Sequence, residues 1–147
     1  MADYETRIAG EGDRDFVRAL NEACYRDVVI EQFGEWDDAI QEAFFTEKWA
    51  AGRFQIVRSN EKDVGALWVE RRADHLIISE ILIAPEFQNC GLGAAVLREL
   101  LEKASREGVT VRLQVLHRSR ARRLYERLGF VISGETDTHV LMRRASA

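Results

Sequence analysis

Residues 81–93, with the sequence ILIAPEFQNCGLG, decide the fold of this chain. The run that leads into them, Leu76–Ile83, is almost continuously apolar and β-branched, which predicts a strand buried on both faces. Pro85 ends this strand, because proline has no N–H to donate to a sheet ladder. Two glycines one residue apart follow, and apolar residues then recur at helical spacing over Leu92–Ala104. Strand, glycine loop and helix N-terminus together predict an anion site whose ligand carries a pyrophosphate.

The residues that the loop lacks narrow the choice of ligand. A P-loop would need Lys and then Ser or Thr after its last glycine, where this chain has two alanines. A dinucleotide-binding fingerprint would need Gly or Ala where Val96 stands. The loop instead reads Gln88-x-x-Gly91-x-Gly93 after a Pro-Glu strand end. This pattern resembles the acyl-CoA loop of the GNAT acetyltransferase superfamily, Gln/Arg-x-x-Gly-x-Gly/Ala.

A second motif lies at residues 118–130, with the sequence RSRARRLYERLGF. It resembles the last helix of the same superfamily, Asn-x-x-Ala-x-x-Leu-Tyr-Glu-Lys-Leu-Gly-Phe, and Ala121–Phe130 follow that pattern closely. The resemblance covers Phe54–Arg143 well and is looser before it. It implies an α/β fold with a mixed, mostly antiparallel central sheet of about seven strands, flanked by about four helices. The strands of this sheet should splay apart at the acyl-CoA site.

Composition limits the class of protein. A chain of 147 residues predicts one domain, residues 1–147, with a single core. The net charge of −4 argues against a general nucleic-acid surface, and no apolar run reaches membrane-spanning length. Two cysteines without a signal peptide indicate a reducing cytoplasm, so we expect a soluble cytoplasmic protein. The three histidines have no partner at ligand spacing, so we expect no metal site.

The pattern along the chain predicts the element order β-α-α-β-β-β-α-β-α-β-β. The first helix, opened by Asp13, should bury the residues Phe16, Leu20, Ala23, Cys24 and Val28. The second should run from about Trp36 to Ala51, with these side chains inward: Trp36, Ile40, Ala43 and Phe44. Two strands, Phe54–Val57 and Val64–Val69, should form a hairpin with a polar turn at 59–63.

The resemblance implies how acetyl-CoA is held. Backbone N–H groups of about Asn89–Ala94 should bind the pyrophosphate. The main chain of Ile81–Ile83 should lie along the pantetheine arm and offer an N–H near Leu82 or Ile83 to the thioester oxyanion. The same strand residues are also explained as core residues. The candidate donor-binding residues are Ile81, Leu82, Ile83, Gln88, Asn89, Cys90, Gly91, Leu92, Gly93, Ala94, Ser119 and Tyr125.

Tyr125 is the candidate for assisting the leaving thiolate, because the matching tyrosine of the family acts as a general acid at the CoA sulfur. A thiol has a pKa of about 8.5 and a tyrosine of about 10, so full proton transfer from an unperturbed tyrosine is uphill. Hydrogen bonding to the developing thiolate is therefore at least as good an explanation. Packing against the sheet is the alternative role.

An amine acceptor arrives protonated at neutral pH, so a carboxylate should take its proton directly or through water. Glu80 is the first candidate, because it interrupts an apolar strand near the expected acyl group. The alternative is a structural ion pair with a nearby arginine, and the two interpretations are equally supported. Some relatives carry a catalytic Glu where this chain has Gln114, which cannot act as a base. Water alone is the third option.

One further departure from the family pattern, a group of arginines and one thiol concern the site. The Asn that commonly begins the last helix is replaced by Arg118 or Ser119, and Ser119 could donate a similar hydrogen bond. The arginines at positions 118, 120, 122 and 123 either contact CoA phosphates or form a solvated helix face. Cys90 at a helix N-terminus could be reactive, but the sequence offers it no catalytic partner.

The first two helices should line the acceptor side of the cleft, as the resemblance implies. Their acidic and aromatic residues hint at a cationic acceptor, although a solvated helix corner explains them equally well. These residues are Tyr25, Asp27, Glu31, Phe33, Glu35, Trp36, Asp37 and Asp38.

The sequence thus predicts an N-acetyltransferase that uses acetyl-CoA and a primary amine, with small amines preferred. The alternatives are a protein or peptide amine acetyltransferase and a non-catalytic acyl-CoA sensor. Dimers are common among similar proteins, so a homodimer is a possible assembly whose formation the sequence leaves open. No nucleic-acid or membrane partner is expected.

Overall fold

The computed structural model describes residues 3–146 and contains the element order that the sequence predicts. Single turns of 3₁₀ helix lie at Glu11–Asp13 and Pro85–Phe87. The other elements are β1 (Glu5–Ile8), α1 (Arg14–Phe33), α2 (Asp38–Ala51), β2 (Gln55–Ser59), β3 (Lys62–Arg71), β4 (His75–Ile83), α3 (Leu92–Glu107), β5 (Thr110–Leu116), α4 (Ala121–Arg127), β6 (Val131–Glu135) and β7 (His139–Arg144).

The strands form a seven-stranded mixed sheet in the order β1-β2-β3-β4-β5-β7-β6. β4 and β5 are parallel, whereas the pairs β1–β2, β2–β3, β5–β7 and β6–β7 are antiparallel. The parallel register joins His75–Ile77 to Thr110–Arg112, at the start of both strands. This short pairing agrees with the predicted splaying of β4. The predicted fold class is confirmed.

The contacts divide the described chain into two compact units. The first holds the chain up to Trp68 together with Glu80–Val96, and the second holds Val69–Ser79 together with the chain from Leu97 onward. The assignment of the whole chain to one domain stays a prediction. The glycine loop and Glu80 belong to the first unit, and Ser119 and Tyr125 belong to the second.

The core of the first unit is built where α1 and α2 cover one face of the strands. Its fully buried members are Val17, Leu20, Phe45, Phe54, Ile56, Ala66, Leu82 and Ala84. An aromatic row continues it, with ring centroids 6.2 Å apart for Phe45 and Trp49 and 5.8 Å apart for Trp49 and Phe54. Burial of these large side chains is the main stabilising contribution in this unit.

The buried face of α2 is rotated from the predicted one. Ile40 and Phe44 are more than half exposed, and Phe45 is the buried residue. The prediction was wrong because α2 carries two adjacent apolar stripes, and helical spacing alone does not select between neighbouring stripes. In α1, Leu20 is buried as predicted and Phe16 and Cys24 pack against the core, whereas Ala23 is exposed.

The β2–β3 hairpin is tighter than predicted. A two-residue turn at Asn60 and Glu61 replaces the predicted five-residue loop, and both strands are longer than expected. Both turn residues have positive φ, 52° and 65°, as the hairpin turns that match strand twist require. The turn escaped prediction because it lacks the glycine that usually marks such a conformation.

β4 is buried on one face and half-buried on the other, so the prediction of two buried faces was wrong. Its buried positions alternate and include Leu76, Ile78, Glu80 and Leu82. This alternation sets the Glu80 side chain on the same face as Leu82. A carboxylate therefore lies on the face that the first unit uses for its core.

The second unit contains most of α3 together with β5, α4, β6 and β7. The predicted apolar face of α3 is confirmed for Leu97, Leu101 and Ala104, which are buried. Arg144 Nε donates to the Leu128 carbonyl oxygen at 2.8 Å. The next residue, Gly129, has a left-handed φ of 97°. β6 pairs with β7 through a register shift between Ile132 and Gly134.

The close approach of Gly65 to β4 predicts a large cost for any side chain there. A Cβ at Gly65 would lie 2.4 Å from the Leu82 carbonyl oxygen and 3.0 Å from Ile83 Cδ1. We expect Gly65→Ala to lower the free energy of unfolding by about 1–3 kcal/mol, measured by urea denaturation.

Gly10→Ala is the matched control, because a Cβ at Gly10 meets no atom within 4 Å and φ is −111°. It should change the free energy of unfolding by less than about 0.5 kcal/mol. Equal stability of the two variants would contradict the tight packing of β3 on β4.

Candidate functional site

The loop after β4 turns sharply into α3. The Phe87 N–H donates to the Ala84 carbonyl oxygen at 2.8 Å, which closes the 3₁₀ turn. Asn89 and Gly91 then adopt left-handed φ values of 62° and 87°. The Ala95 N–H makes a helical bond of 2.9 Å to the Gly91 carbonyl oxygen. Helix geometry leaves the amides just before Ala95 without intrahelical acceptors, so they are suited to an anion.

The two glycines of the loop serve different purposes. Gly91 is needed by the backbone, because its φ is in the left-handed region that other residues avoid. Gly93 has no positive φ, and a Cβ there would make only an ordinary contact of 3.7 Å with Ile83 Cγ1. The protein's own packing therefore does not require glycine at 93.

The Ile83 carbonyl oxygen accepts two side-chain hydrogen bonds. Gln88 Nε2 donates to it at 2.8 Å, and Cys24 Sγ donates at 3.3 Å. The Gln88 side chain, the first position of the loop motif, therefore ties the loop to the end of β4. Its direct contribution to donor binding stays a prediction.

The two cysteines are both free thiols in different surroundings. Burial raises the pKa of Cys24 to about 11, with a further increase from the charge of Glu80 and an opposing effect of the hydrogen bond to Ile83. Cys90 is exposed, and its thiol donates to the Phe87 carbonyl oxygen at 2.7 Å. Both thiols donate to backbone carbonyl oxygens, and neither has a described hydrogen bond to a base that would activate it as a nucleophile.

Glu80 is buried, and two neighbouring side chains hold its carboxylate. Its Oε1 accepts a hydrogen bond from the Tyr25 hydroxyl, and its Oε2 pairs with Lys48 Nζ at 2.5 Å. Lys48 Nζ also donates to Asn21 Oδ1 at 2.9 Å and lies 5.1 Å from the centroid of the Tyr25 ring. Glu80 and Asn21 are the buried polar residues of the described chain, at 5% and 7% exposure.

A structural ion pair with an arginine was one of the two interpretations of Glu80, and the structure shows the pair with Lys48 instead. Breaking such a buried pair by removing one partner leaves an uncompensated charge, so the arrangement is costly to disturb. Sequence reasoning missed Lys48 and Asn21. Lys48 follows Phe45 by three residues, and it was missed because helical spacing alone does not select the Phe45 face of α2.

Ser119 and Tyr125 lie in the second unit. Ser119 precedes the first residue of α4 by two positions, and Tyr125 lies within the helix. Ser119 Oγ accepts from the Ala121 N–H at 3.2 Å, so Ser119 supports the start of the helix. Tyr125 is buried, and its ring packs edge-on against Phe130 with centroids 5.6 Å apart. The packing role of Tyr125 is therefore present in the structure, and its catalytic role stays a prediction.

The predicted acceptor-wall residues are not equivalent. Tyr25 contacts Glu80, and the side chain of Asp37 caps α2 by accepting from the Ile40 N–H at 3.0 Å. Asp27, Glu31, Glu35 and Asp38 are exposed, as is Phe33, and Trp36 is partly buried. Only Tyr25 of this set touches the buried carboxylate through a hydrogen bond that the structure describes.

Within residues 3–146, no group of three His, Cys, Asp or Glu side chains is arranged to hold a metal ion. None of the helices described for this chain combines the length and apolar character needed to cross a membrane.

A family model described as "Acetyltransferase (GNAT) family" matches residues 15–130. The chain belongs to the GNAT acetyltransferase family. The match includes both the glycine loop and the Tyr125 motif, the two segments on which the resemblance rested. The GNAT assignment made from the sequence is therefore confirmed.

One similar curated protein is the [ribosomal protein bS18]-alanine N-acetyltransferase of Haemophilus influenzae, 33% identical over 72 residues. The match covers 48% of this chain and 49% of that protein, so this GNAT chain spans about half the length of the curated relative it matches.

Solved GNAT structures share the fold. The PaiA N-acetyltransferase from Thermoplasma acidophilum, in complex with coenzyme A, has a TM-score of 0.72 at 16% identity and covers 97% of this chain and 99% of its own. The ribosomal-protein-alanine N-acetyltransferase from Escherichia coli has a TM-score of 0.65 at 20% identity, with coverages of 99% and 95%. At these identities the likeness establishes the fold.

The raised pKa of Cys24 predicts slow alkylation. At pH 8 a thiol of pKa about 11 is thiolate in about 1 molecule in 1,000, so iodoacetamide should label Cys24 at least about 100-fold more slowly than an exposed thiol of ordinary pKa. Its rate should rise as pH increases towards 11, because the thiolate is the reactive form.

Mass spectrometry of the two cysteine peptides measures both rates in one sample, with exposed Cys90 as the internal reference for access. In urea the difference should disappear. Equal labelling of the folded protein at pH 8 would show that Cys24 is not buried as described.

Proposed function

We propose that the chain is an N-acetyltransferase that moves the acetyl group of acetyl-CoA to a primary amine by direct transfer in a ternary complex. The observation that carries this proposal is the loop at residues 88–94, with Gly93 left open where the protein's own packing does not require glycine. Family membership supports the same activity.

The donor is proposed to lie on the backbone of the first unit. The N–H groups of Asn89–Ala94 would hold the pyrophosphate, helped by the positive end of the α3 dipole. The backbone of Ile81–Ile83 would follow the pantetheine arm. An N–H at Leu82 or Ile83 would then stabilise the oxyanion that develops when the amine attacks the thioester carbonyl.

Glu80 is proposed to take the proton from the acceptor ammonium, directly or through water. The support is its position on β4 immediately before Ile81 and its fixed orientation between Tyr25 and Lys48. Both carboxylate oxygens are already engaged, so an acceptor amine must share or displace one of these partners. Tyr25 would act as a positioning residue through its hydrogen bond to Oε1.

Tyr125 is proposed to assist departure of the CoA thiolate, by a hydrogen bond or by proton transfer. The support is the match of Ala121–Phe130 to the family motif. The buried ring, fixed against Phe130, would limit the motion of the hydroxyl.

The acceptor is proposed to be a primary amine, with small amines as the first class to test. A second candidate is the N-terminal amine of a protein, favoured by the similarity to the alanine N-acetyltransferase of Haemophilus influenzae. A panel of small diamines and an alanine-terminated peptide distinguishes the two by the rate of thiol release. Cytoplasmic location stays a prediction of the sequence, which leaves homodimer formation open.

The Gly93 proposal has a direct test. We expect Gly93→Val to weaken acetyl-CoA binding by at least about tenfold, because the side chain would enter the space left for the pyrophosphate. Gly93→Ala is the control for folding, and its melting temperature should stay close to that of the parent, since its Cβ makes only an ordinary contact of 3.7 Å with Ile83 Cγ1. Unchanged affinity in isothermal titration would exclude the loop as the pyrophosphate site.

The role of Tyr125 has a separate test. Tyr125→Phe should lower kcat by about 100-fold, because the leaving thiolate loses its donor, while the Kd for acetyl-CoA stays within about threefold. Tyr4→Phe, in neither motif, is the matched control and should keep the parent kcat. If Tyr125→Phe turns over at the parent rate, the proposed role is wrong.

A further inference from the structure

Lysine is rare in this chain, and one lysine is placed unlike the others. The chain has three lysines, and 21 lysines and arginines together. Lys62 and Lys103 are exposed, whereas the Lys48 side chain is only 25% exposed and its ammonium is ion-paired to buried Glu80. The proposed mechanism uses Glu80 and leaves the Lys48 amine without a chemical role.

We propose that Lys48 is a self-acetylation site, whose Nζ takes the acetyl group from acetyl-CoA bound to the same chain, with Glu80 as the base. This inference rests on the proposed function, because it needs the donor to bind at the loop after β4. It adds a modification site and a second acceptor class, an internal lysine amine.

The contacts of Lys48 satisfy what an acceptor amine needs. Nζ lies 2.5 Å from Glu80 Oε2, the carboxylate proposed to accept the acceptor's proton. Nζ also donates to Asn21 Oδ1 at 2.9 Å and lies 5.1 Å from the centroid of the Tyr25 ring. The amine is therefore already seated on the proposed base, as an external acceptor would have to be.

The strand places Glu80 close to the segment where the donor is proposed to lie. Glu80 and Leu82 share one face of β4, and residues two apart on a strand are separated by about 7 Å. The Leu82–Ile83 segment is where the thioester oxygen is proposed to bind. A lysine has a flexible four-carbon stem, so rotation about its terminal bonds can carry Nζ from the carboxylate towards that segment.

The step balances without another reactant. Glu80 takes one proton from the Lys48 ammonium, and the neutral Nζ attacks the thioester carbonyl carbon. The C–N bond forms as the C–S bond breaks, and the CoA thiolate takes a second proton from the nitrogen. The products are acetyl-Lys48, CoA with a free thiol and one proton passed from Glu80 to solvent.

Acetylation would change the site, because an acetylated lysine has no positive charge. The ion pair with Glu80 would be lost, while the Tyr25 hydroxyl could still donate to Oε1. Oε2 would then be open to the ammonium of an external acceptor. Self-acetylation would thus convert Lys48 from a competitor for Glu80 into a neutral neighbour.

The experiment incubates the full chain with trideuteroacetyl-CoA, so that acetyl groups acquired in the expression host are distinguished by mass. Peptide mapping then follows label at each lysine in the same sample. We expect the initial rate at Lys48 to exceed those at Lys62 and Lys103 by about 100-fold, and Glu80→Gln to reduce it to theirs. Lys62 and Lys103 report the background reaction of exposed amines.

A second variant guards against a folding defect in Glu80→Gln. The double variant Lys62→Arg, Lys103→Arg changes exposed positions alone and keeps Lys48 as the only lysine. Rapid label at Lys48 in this variant supports the proposal. Label no faster than the background of the parent, or a Lys48 rate that a folded Glu80→Gln leaves unchanged, overturns it.

The same samples separate this inference from the proposed function. Thiol release on the amine panel together with background label at Lys48 overturns self-acetylation and leaves the enzyme assignment standing. Absence of acetyl-CoA binding, with neither thiol release nor label, overturns both.

Discussion

The hydrogen bonds to the Ile83 carbonyl oxygen hold three parts of the first unit together. Gln88 brings the loop back onto the end of β4, and Cys24 joins α1 to the same oxygen. Gly65 allows β3 to approach this strand end so closely that a methyl group would meet the Leu82 carbonyl. The position of the loop relative to β4, and hence the proposed donor site, depends on this junction.

A buried carboxylate next to that junction needs compensation, since its desolvation is costly without partners. Glu80 obtains it from two helices: Tyr25 on α1 and Lys48 on α2. The same contacts fix the carboxylate where a proton acceptor is proposed to work. The stability of the first unit and the proposed chemistry thus rely on the same contacts of Glu80, and self-acetylation of Lys48 would alter both.

Local patterns made much of the fold predictable, and tertiary contacts account for most of what was missed. The strand–loop–helix order was predictable because its signals are adjacent in sequence. The buried face of α2 was not, because Phe44 and Phe45 lie on neighbouring stripes. The turn at Asn60–Glu61 lacks the usual glycine. Glu80 was found as an anomaly in a strand, but its partner Lys48 is brought to it only by folding.

The central claim is that the loop at residues 88–94 selects acetyl-CoA. Isothermal titration of the purified chain with acetyl-CoA, with CoA, ATP and NADH titrated under the same conditions, tests it most directly. The account predicts tight binding of acetyl-CoA and much weaker binding of ATP and NADH. Absence of acetyl-CoA binding, or equal binding of all four ligands, would contradict it.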